Sequence, residues 1–190
     1  DTCAGRMGIP QSVQVIAPSF DKVNLRLASA LSSGRIYTVS VQLATDCAGN
    51  PVEPNSTARV GISEMADSSD VVINEILFNP KSGGSDFVEL YNKSDNIIDC
   101  NNLWLNTSLQ LGNTTYKISN QPFLLFPGEY ITCTEDKNSL IKQYWIKDPK
   151  RIIECSSLPS LPDDKGTIIL TNKQGIIIDS LTYNEKWHFP

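Results

Sequence analysis

Two glutamates on neighbouring predicted strands are the residues of this sequence best placed for chemistry. Glu75 shares a predicted strand face with Ile73 and Leu77. Glu89, on the next predicted strand, shares a face with Tyr91. Adjacent antiparallel strands can bring side chains of one face within about 5 Å, and two carboxylates that close repel unless a proton, a hydrogen bond or a cation relieves them.

Three roles are open to this pair. A paired-carboxylate hydrolase would need acid–base partners that the sequence does not offer. Calcium would be bound through oxygen ligands, with Asp86 or the Asn-rich loops joining Glu75 and Glu89. The interpretation we favour is structural, with both carboxylates accepting hydrogen bonds from loop backbone N–H groups. We therefore predict no cofactor and no metal.

Nucleophilic catalysis has little support. The sequence contains one histidine, His188, which is the third residue from the end of the chain, and it contains no Gly-x-Ser-x-Gly elbow. A Ser-His-Asp triad would have to use that histidine, which we expect to pack beside Trp187 or lie exposed. We predict that the chain is not an enzyme.

The cysteines are widely spaced and form no C-x-x-C pair, which argues against zinc. They are Cys3, Cys47, Cys100, Cys133 and Cys155. An odd number leaves at least one thiol unpaired in a monomer. Buried free thiols and one or two disulfides both remain open.

Two further residue sets have a structural and a functional interpretation. Aromatic side chains could line a carbohydrate site or fill a core, namely Phe87, Tyr91, Trp104, Tyr116 and Trp145. Four Asn-x-Ser/Thr sequons indicate exposed, Asn-rich loops, at Asn55, Asn92, Asn106 and Asn113.

Composition excludes several classes of protein. The chain has 190 residues, of which 40% are hydrophobic, and a net charge of −5 without a basic stripe. Binding to a phosphate backbone is therefore not expected. No apolar run approaches the roughly 20 residues of a membrane-spanning helix. Asp1 opens in polar sequence without a leader, as in a mature or trimmed chain.

Period-two alternation is the dominant pattern. It runs through Lys22-Val-Asn-Leu-Arg-Leu27 and Tyr37-Thr-Val-Ser-Val-Gln-Leu43 and predicts half-buried strands. One helix is predicted over 137–144, with Thr134 as a candidate cap. Short strands separated by regular turns indicate an all-β sandwich. The polar stretch 63–69 is interpreted as a linker between modules 1–62 and 70–190.

The second module resembles the lamin tail domain family. The motifs are Asp70-Val-Val-Ile-Asn-Glu-Ile-Leu-Phe-Asn-Pro80, Asp86-Phe-Val-Glu-Leu-Tyr-Asn92, Leu103-Trp-Leu105 and Ile178-Asp-Ser-Leu-Thr-Tyr183. The ending Trp187-His-Phe-Pro190 is similar to bacterial members, although a further family segment does not follow. This resemblance implies an immunoglobulin-like β-sandwich that binds and supports rather than catalyses.

The first module is similar to the end of a bacterial Ig-like repeat. The similarity lies in Leu31-Ser-Ser-Gly-Arg-Ile-Tyr-Thr-Val-Ser-Val41 and Thr45-Asp-Cys-Ala-Gly-Asn-Pro-Val52, and the front strands of such a repeat are expected upstream of Asp1. Together the two resemblances imply a secreted or cell-surface module for adhesion, scaffolding or anchoring, with an unknown protein or a surface glycan as partner. The alternatives are an accessory domain of a larger secreted hydrolase or nuclease, and a carbohydrate-binding module.

Overall fold

The chain forms two compact units in the computed structural model, which describes residues 8–18, 21–46, 48–107 and 114–187. The first unit spans 1–62 and the second 63–190. Strands account for 39% of the chain and helices for 9%, so the predicted all-β class is confirmed. No described helix has both the length and the apolar character needed to cross a membrane.

The first unit contains two separate antiparallel strand pairs. Strand β1 (Ser12–Val15) pairs with β2 (Val23–Arg26), and β3 (Tyr37–Ser40) pairs with β4 (Thr57–Val60). The strands were predicted to be half buried, but every residue of β1 and β2 is exposed. Among the described residues of this unit, Tyr37 is the only hydrophobic residue that is buried. Alternating hydrophobic and polar residues predict the strands correctly. They do not show whether other elements pack on the hydrophobic face and bury it.

The second unit is a sandwich of two four-stranded sheets. Its strands are β5 (Val71–Leu77), β6 (Phe87–Asn92), β7 (Ile98–Asp99), β8 (Leu103–Asn106), β9 (Tyr116–Lys117), β10 (Leu124–Leu125), β11 (Tyr130–Thr134), β12 (Ile152–Glu154), β13 (Lys165–Asn172) and β14 (Ile177–Asn184). One sheet has the order β12-β11-β6-β5 and the other β14-β13-β8-β9, while β7 and β10 form a small ribbon. Neighbouring strands are antiparallel except β11 and β12, which are parallel.

Alternate residues of the central strands fill the core between the sheets. On β6, Val88 and Leu90 are fully buried, whereas Phe87, Glu89 and Tyr91 are only partly covered. The prediction that Val88 and Leu90 point inward is confirmed. The facing sheet contributes side chains such as Leu105, Ile168 and Leu170. The burial pattern of β6 thus separates an inner face from an outer face.

A β-bulge at Asn74 changes which residues of β5 share a face. Ile73 pairs with Leu90 and Glu75 with Glu89, which leaves Asn74 as the extra residue. Ile73 is therefore buried on the inner face while Glu75 is exposed on the outer one. The expectation that Glu75 shares a face with Ile73 is wrong, because an inserted residue shifts the alternation by one.

The segment 63–69 belongs to the second unit and is not an extended linker. The Glu64 N–H donates to the Ile97 carbonyl at 2.8 Å, and the side-chain amide of Asn172 donates to the Ala66 carbonyl at 2.9 Å. Ala66 is buried. Polar composition suggests a linker here, but these long-range hydrogen bonds fix the segment onto the sandwich. Whether the two units fold independently stays a prediction.

One α-helix, α1 (Lys137–Gln143), follows β11 at the position predicted. Its N-cap is Asp136, whose carboxylate accepts from the Ser139 N–H at 2.9 Å. Thr134, the expected cap, instead donates its hydroxyl to the Asp86 carbonyl at 2.9 Å. The buried side of the helix is held by Leu140.

Candidate binding groove

The outer face of the β12-β11-β6-β5 sheet carries rows of polar and aromatic side chains. The ladder aligns Thr132, Glu89 and Glu75 across three strands, and the next row holds Tyr130 and Tyr91. The rings of Tyr91 and Tyr130 stack with their centroids 4.5 Å apart. The register of the three strands therefore places the carboxylates of Glu75 and Glu89 next to the stacked rings of Tyr91 and Tyr130.

Part of this face is a groove of about 610 Å³, which we call the outer groove. The lining residues are Glu89, Glu129, Tyr130, Thr132, Trp145, Ile146, Lys147, Asp148, Arg151 and Ile152. Strands β6, β11 and β12 supply its floor, and the segment after α1 supplies a wall. The lining mixes carboxylates, basic groups and aromatic rings, which suits recognition of a ligand with polar and apolar parts.

Trp145 is the most exposed large hydrophobic side chain of the groove, with 87% of its surface accessible. Its neighbour Tyr144 is held back, because that ring makes an edge contact with Phe87 at 6.4 Å between centroids. Helix α1 thus anchors one end of the wall through Tyr144 and leaves the indole of Trp145 in solvent. An exposed indole beside polar groups is the type of side chain enriched in binding surfaces.

Arg151 forms hydrogen bonds to two other residues of the groove lining, Glu129 and Tyr130. Its guanidinium donates to Glu129 at 2.6 Å and to the Tyr130 carbonyl at 3.1 Å, and it lies 5.2 Å from the centre of the Phe123 ring. Both members of the Arg151–Glu129 pair are partly exposed, with 25% and 19% of their side-chain surfaces accessible. The pair holds the groove edge in one geometry and remains reachable by a ligand.

Glu75 and Glu89 face each other directly across β5 and β6, as the sequence predicts. Burial, and secondly the neighbouring charge of Glu89, raise the pKa of Glu75. The side-chain amide of Asn74 donates to Glu89 at 2.8 Å. This donor is a side chain on the bulge and not the loop backbone N–H that we expected, because the bulge turns Asn74 toward the outer face.

Asp86 lies apart from that pair. It lines a second depression, of about 330 Å³, together with Gly84, Glu135 and the loop from Leu158 to Leu161. Burial, and then the charges of Asp163 and Glu135, raise the pKa of Asp86. The candidate calcium ligands Glu75, Glu89 and Asp86 thus fall in two places. Within the described residues, no three acidic, histidine or cysteine side chains are grouped as a metal site would require.

The five aromatic residues proposed for a carbohydrate platform do not converge. Trp104 and Tyr116 lie on the opposite sheet, where the Lys117 ammonium is 5.6 Å from the Trp104 ring. Phe87 is covered by Tyr144. Trp145 lines the outer groove, and Tyr91 reaches its edge by stacking on Tyr130. Sequence reasoning missed Tyr130, although its position on the strand beside Tyr91 was a usable signal.

Two sequons do not lie in exposed loops. Asn92 is fully buried, and its amide donates to the carbonyls of Asn96 and Leu125. Asn106 is 2% exposed and donates to Thr171. Asn55 is exposed as predicted, whereas Asn113 lies outside the described residues. Asn92 and Asn106 are the last residues of β6 and β8, and their amides donate to interior acceptors, which are two backbone carbonyls for Asn92 and the Thr171 hydroxyl for Asn106.

The thiols of Cys100, Cys133 and Cys155 are buried and free. Cys3, Cys47 and His188 lie outside the part of the chain that the structure describes. For the described cysteines, the interpretation as buried free thiols agrees with the coordinates.

The two packed four-stranded sheets define an immunoglobulin-like β-sandwich domain. The chain belongs to the lamin tail domain family, whose model, described as Lamin Tail Domain, matches residues 64–185. That family consists of non-catalytic Ig-like domains, and the resemblance found in the sequence is confirmed. A comparison with curated proteins finds no match. The bacterial type and the Ig-like repeat before residue 63 stay predictions.

Proposed function

We propose that this chain is a non-catalytic extracytoplasmic interaction module that holds its partner in the outer groove. The observation that carries the proposal is the exposed indole of Trp145 above a floor of Glu89 and Thr132. An aromatic anchor ringed by polar groups is the arrangement that concentrates binding energy at protein interfaces. Adhesion, scaffolding or anchoring at a cell surface are the roles that such a module serves.

A protein partner is favoured over a glycan by the composition of the groove. The Arg151–Glu129 pair and the exposed Tyr130 lie beside Trp145, and arginine, tyrosine and tryptophan are the residues enriched at protein interfaces. Carbohydrate recognition remains the second candidate, because the Trp145 ring offers one stacking platform. An accessory role beside a secreted hydrolase or nuclease is compatible with the same groove.

The test compares the full chain with Trp145→Ala on immobilised glycans and on displayed extracellular proteins. A specific ligand should lose about fivefold or more in affinity, because truncating an interface anchor costs over about 1 kcal/mol. Trp187→Ala is the matched control, since Trp187 is 49% exposed and does not line the groove. Equal losses in both variants, or none in Trp145→Ala, would reject the groove as the binding site.

The arrays also separate the candidate functions. A hit confined to proteins supports adhesion or scaffolding, and one confined to glycans supports the carbohydrate module. Hydrolysis of nucleic acid, ester or glycoside substrates that is abolished by a point substitution in this chain would overturn the non-catalytic assignment.

A further inference from the structure

The floor of the outer groove carries a negative charge with which no basic side chain among the described residues pairs. Glu89 lines the groove, and Glu75 faces it directly on the neighbouring strand. The donor to Glu89 is the neutral side-chain amide of Asn74, at 2.8 Å. Within the described part of the chain, neither glutamate forms an ion pair. The two carboxylates therefore repel each other without a cation to offset their charge.

Most of the other charged groups of the groove are already engaged with protein atoms. Arg151 pairs with Glu129 at 2.6 Å, and Asp148 caps a short helix by accepting a backbone N–H at 3.0 Å. Lys147 also lines the groove, but in the described structure it forms no ion pair with Glu89. Three acidic side chains thus stand against two basic ones in the lining, which leaves the groove negative.

Two aromatic surfaces border the same carboxylate. Tyr130 lies diagonally across the ladder from Glu89, a separation of about 7–8 Å that long side chains can bridge. Trp145, with its indole in solvent, lines the same groove. The faces of tyrosine and tryptophan rings attract a cation that lies within about 6 Å of the ring centre. A cationic group in this groove would therefore meet both a carboxylate and aromatic rings.

We propose that the outer groove binds an arginine or lysine side chain of a protein partner, with the aliphatic stem against Trp145 and the charged group at Glu89. The inference rests on the function proposed above and specifies the chemistry of the partner. Both side chains join an apolar stem to a cationic head. Arginine can in addition stack on a ring while it donates two hydrogen bonds to one carboxylate.

The electrostatic state of Glu75 agrees with this ligand. Burial, and secondly the charge of Glu89, raise the pKa of Glu75. A cation bound at Glu89 offsets that charge, whereas a neutral sugar would leave the repulsion in place and an anionic ligand would add to it. Charge complementarity therefore favours a basic side chain over the other ligand classes.

The test titrates two capped pentapeptides, acetyl-Gly-Ser-Arg-Ser-Gly-amide and its lysine counterpart, into the isotope-labelled full chain and follows binding by NMR. The control peptide carries citrulline, which keeps the shape of arginine and removes its charge. The basic peptides should shift the resonances of the Trp145 indole N–H and the Glu89 backbone N–H, and should bind about fivefold or more tightly than the citrulline peptide. Their affinity should fall several-fold between about 0.05 M and about 0.5 M NaCl, because salt screens exposed charges.

Two results of the titration would overturn the proposal. One is equal binding of the basic and citrulline peptides. The other is the absence of groove shifts up to about 20 mM of either basic peptide, a concentration at which even a millimolar site is mostly filled.

Matched variants connect binding to the charge of Glu89. Glu89→Gln should weaken the basic peptides about fivefold or more. Glu185→Gln removes the same charge from an exposed residue outside the groove and should leave their affinity unchanged. Equal losses in both variants would show that net charge and not the groove attracts the peptides. If Glu89→Gln does not fold, the citrulline comparison on the unsubstituted chain decides the result.

The same variant separates this inference from the proposed function. A ligand from the arrays that depends on Trp145 but binds Glu89→Gln with full affinity would support the groove as the binding site and reject the basic side chain. A ligand weakened by both Trp145→Ala and Glu89→Gln would support both proposals.

Discussion

The cross-strand pair Glu75 and Glu89 should make the free energy of unfolding depend on pH. Partial burial, and secondly the opposing charge of Glu89, raise the pKa of Glu75, and like charges directly opposite each other on a sheet destabilise the fold. A carboxyl group with a raised folded pKa contributes stability that is present below its unfolded pKa. That contribution is lost as pH rises through the folded pKa.

We therefore expect Glu75→Gln to stabilise the chain at pH 7 and to have little effect near pH 4. Glu75 is mostly exposed, so solvent screening limits the gain to about 0.2–0.5 kcal/mol. Urea unfolding at both pH values measures it. In a Glu89→Gln background the substitution should stabilise less at pH 7, because the repelling charge is gone while the cost of burying the Glu75 carboxylate remains. An equal gain in both backgrounds would show that the pair does not interact.

Calcium should not bind to the acidic residues singled out in the sequence. Glu75 and Glu89 lie on the outer face while Asp86 lines a separate depression, so the oxygen ligands that calcium requires are not assembled. We expect the same thermal midpoint in chelator and in about 1 mM calcium. A calcium-dependent rise that disappears in Glu75→Gln or Glu89→Gln would show that these carboxylates form a metal site.

Among the strands, β5 depends on a side chain from the opposite sheet. The Ile73 N–H, next to the bulge, donates to the Asp179 carboxylate on β14 at 2.8 Å. Asp179→Ala leaves this N–H without its acceptor, which should cost about 1–3 kcal/mol. Asp179→Asn is the matched control, since its amide oxygen still accepts, and should cost less. Chemical denaturation compares them, and equal losses would mean that charge rather than the hydrogen bond matters.

The inner face of β6 should be sensitive to truncation. Leu90 is fully buried and pairs with Ile73 and Ile131 on its two flanking strands. Leu90→Ala removes packed methyl groups and should destabilise by roughly 2–5 kcal/mol. Tyr91→Ala, one position along on the outer face, should cost less because Tyr91 is only partly buried. Equal melting shifts would contradict the assignment of faces.

At the scale of the whole molecule, the second unit should begin near residue 63 and not near 70. The segment 63–69 contributes the Glu64, Ala66 and Ser69 hydrogen bonds to the sandwich. At about 1 kcal/mol each, their removal should make a fragment 70–190 less stable than 63–190 by roughly 2–4 kcal/mol. Thermal melts of the two fragments test this. Equal stability, or early proteolysis inside 63–69, would restore the linker interpretation.

The sequence by itself determined the class of fold, the family and the inner face of β6. These follow from local information, since alternating side chains and turn residues act over a few positions. Val88 and Leu90 could be placed in this way. The Glu75–Glu89 pairing was also predictable, because β5 and β6 are consecutive strands joined by a single loop, which limits the registers that they can adopt.

The tertiary structure alone decided the bulge at Asn74 and the docking of 63–69. Each depends on residues distant in sequence, such as Asp179 for β5 and Asn172 for Ala66. No local pattern encodes which long-range partner a polar group or a thiol will meet. That choice is made when the two sheets pack, because buried donors and acceptors must then find partners among the atoms brought near them.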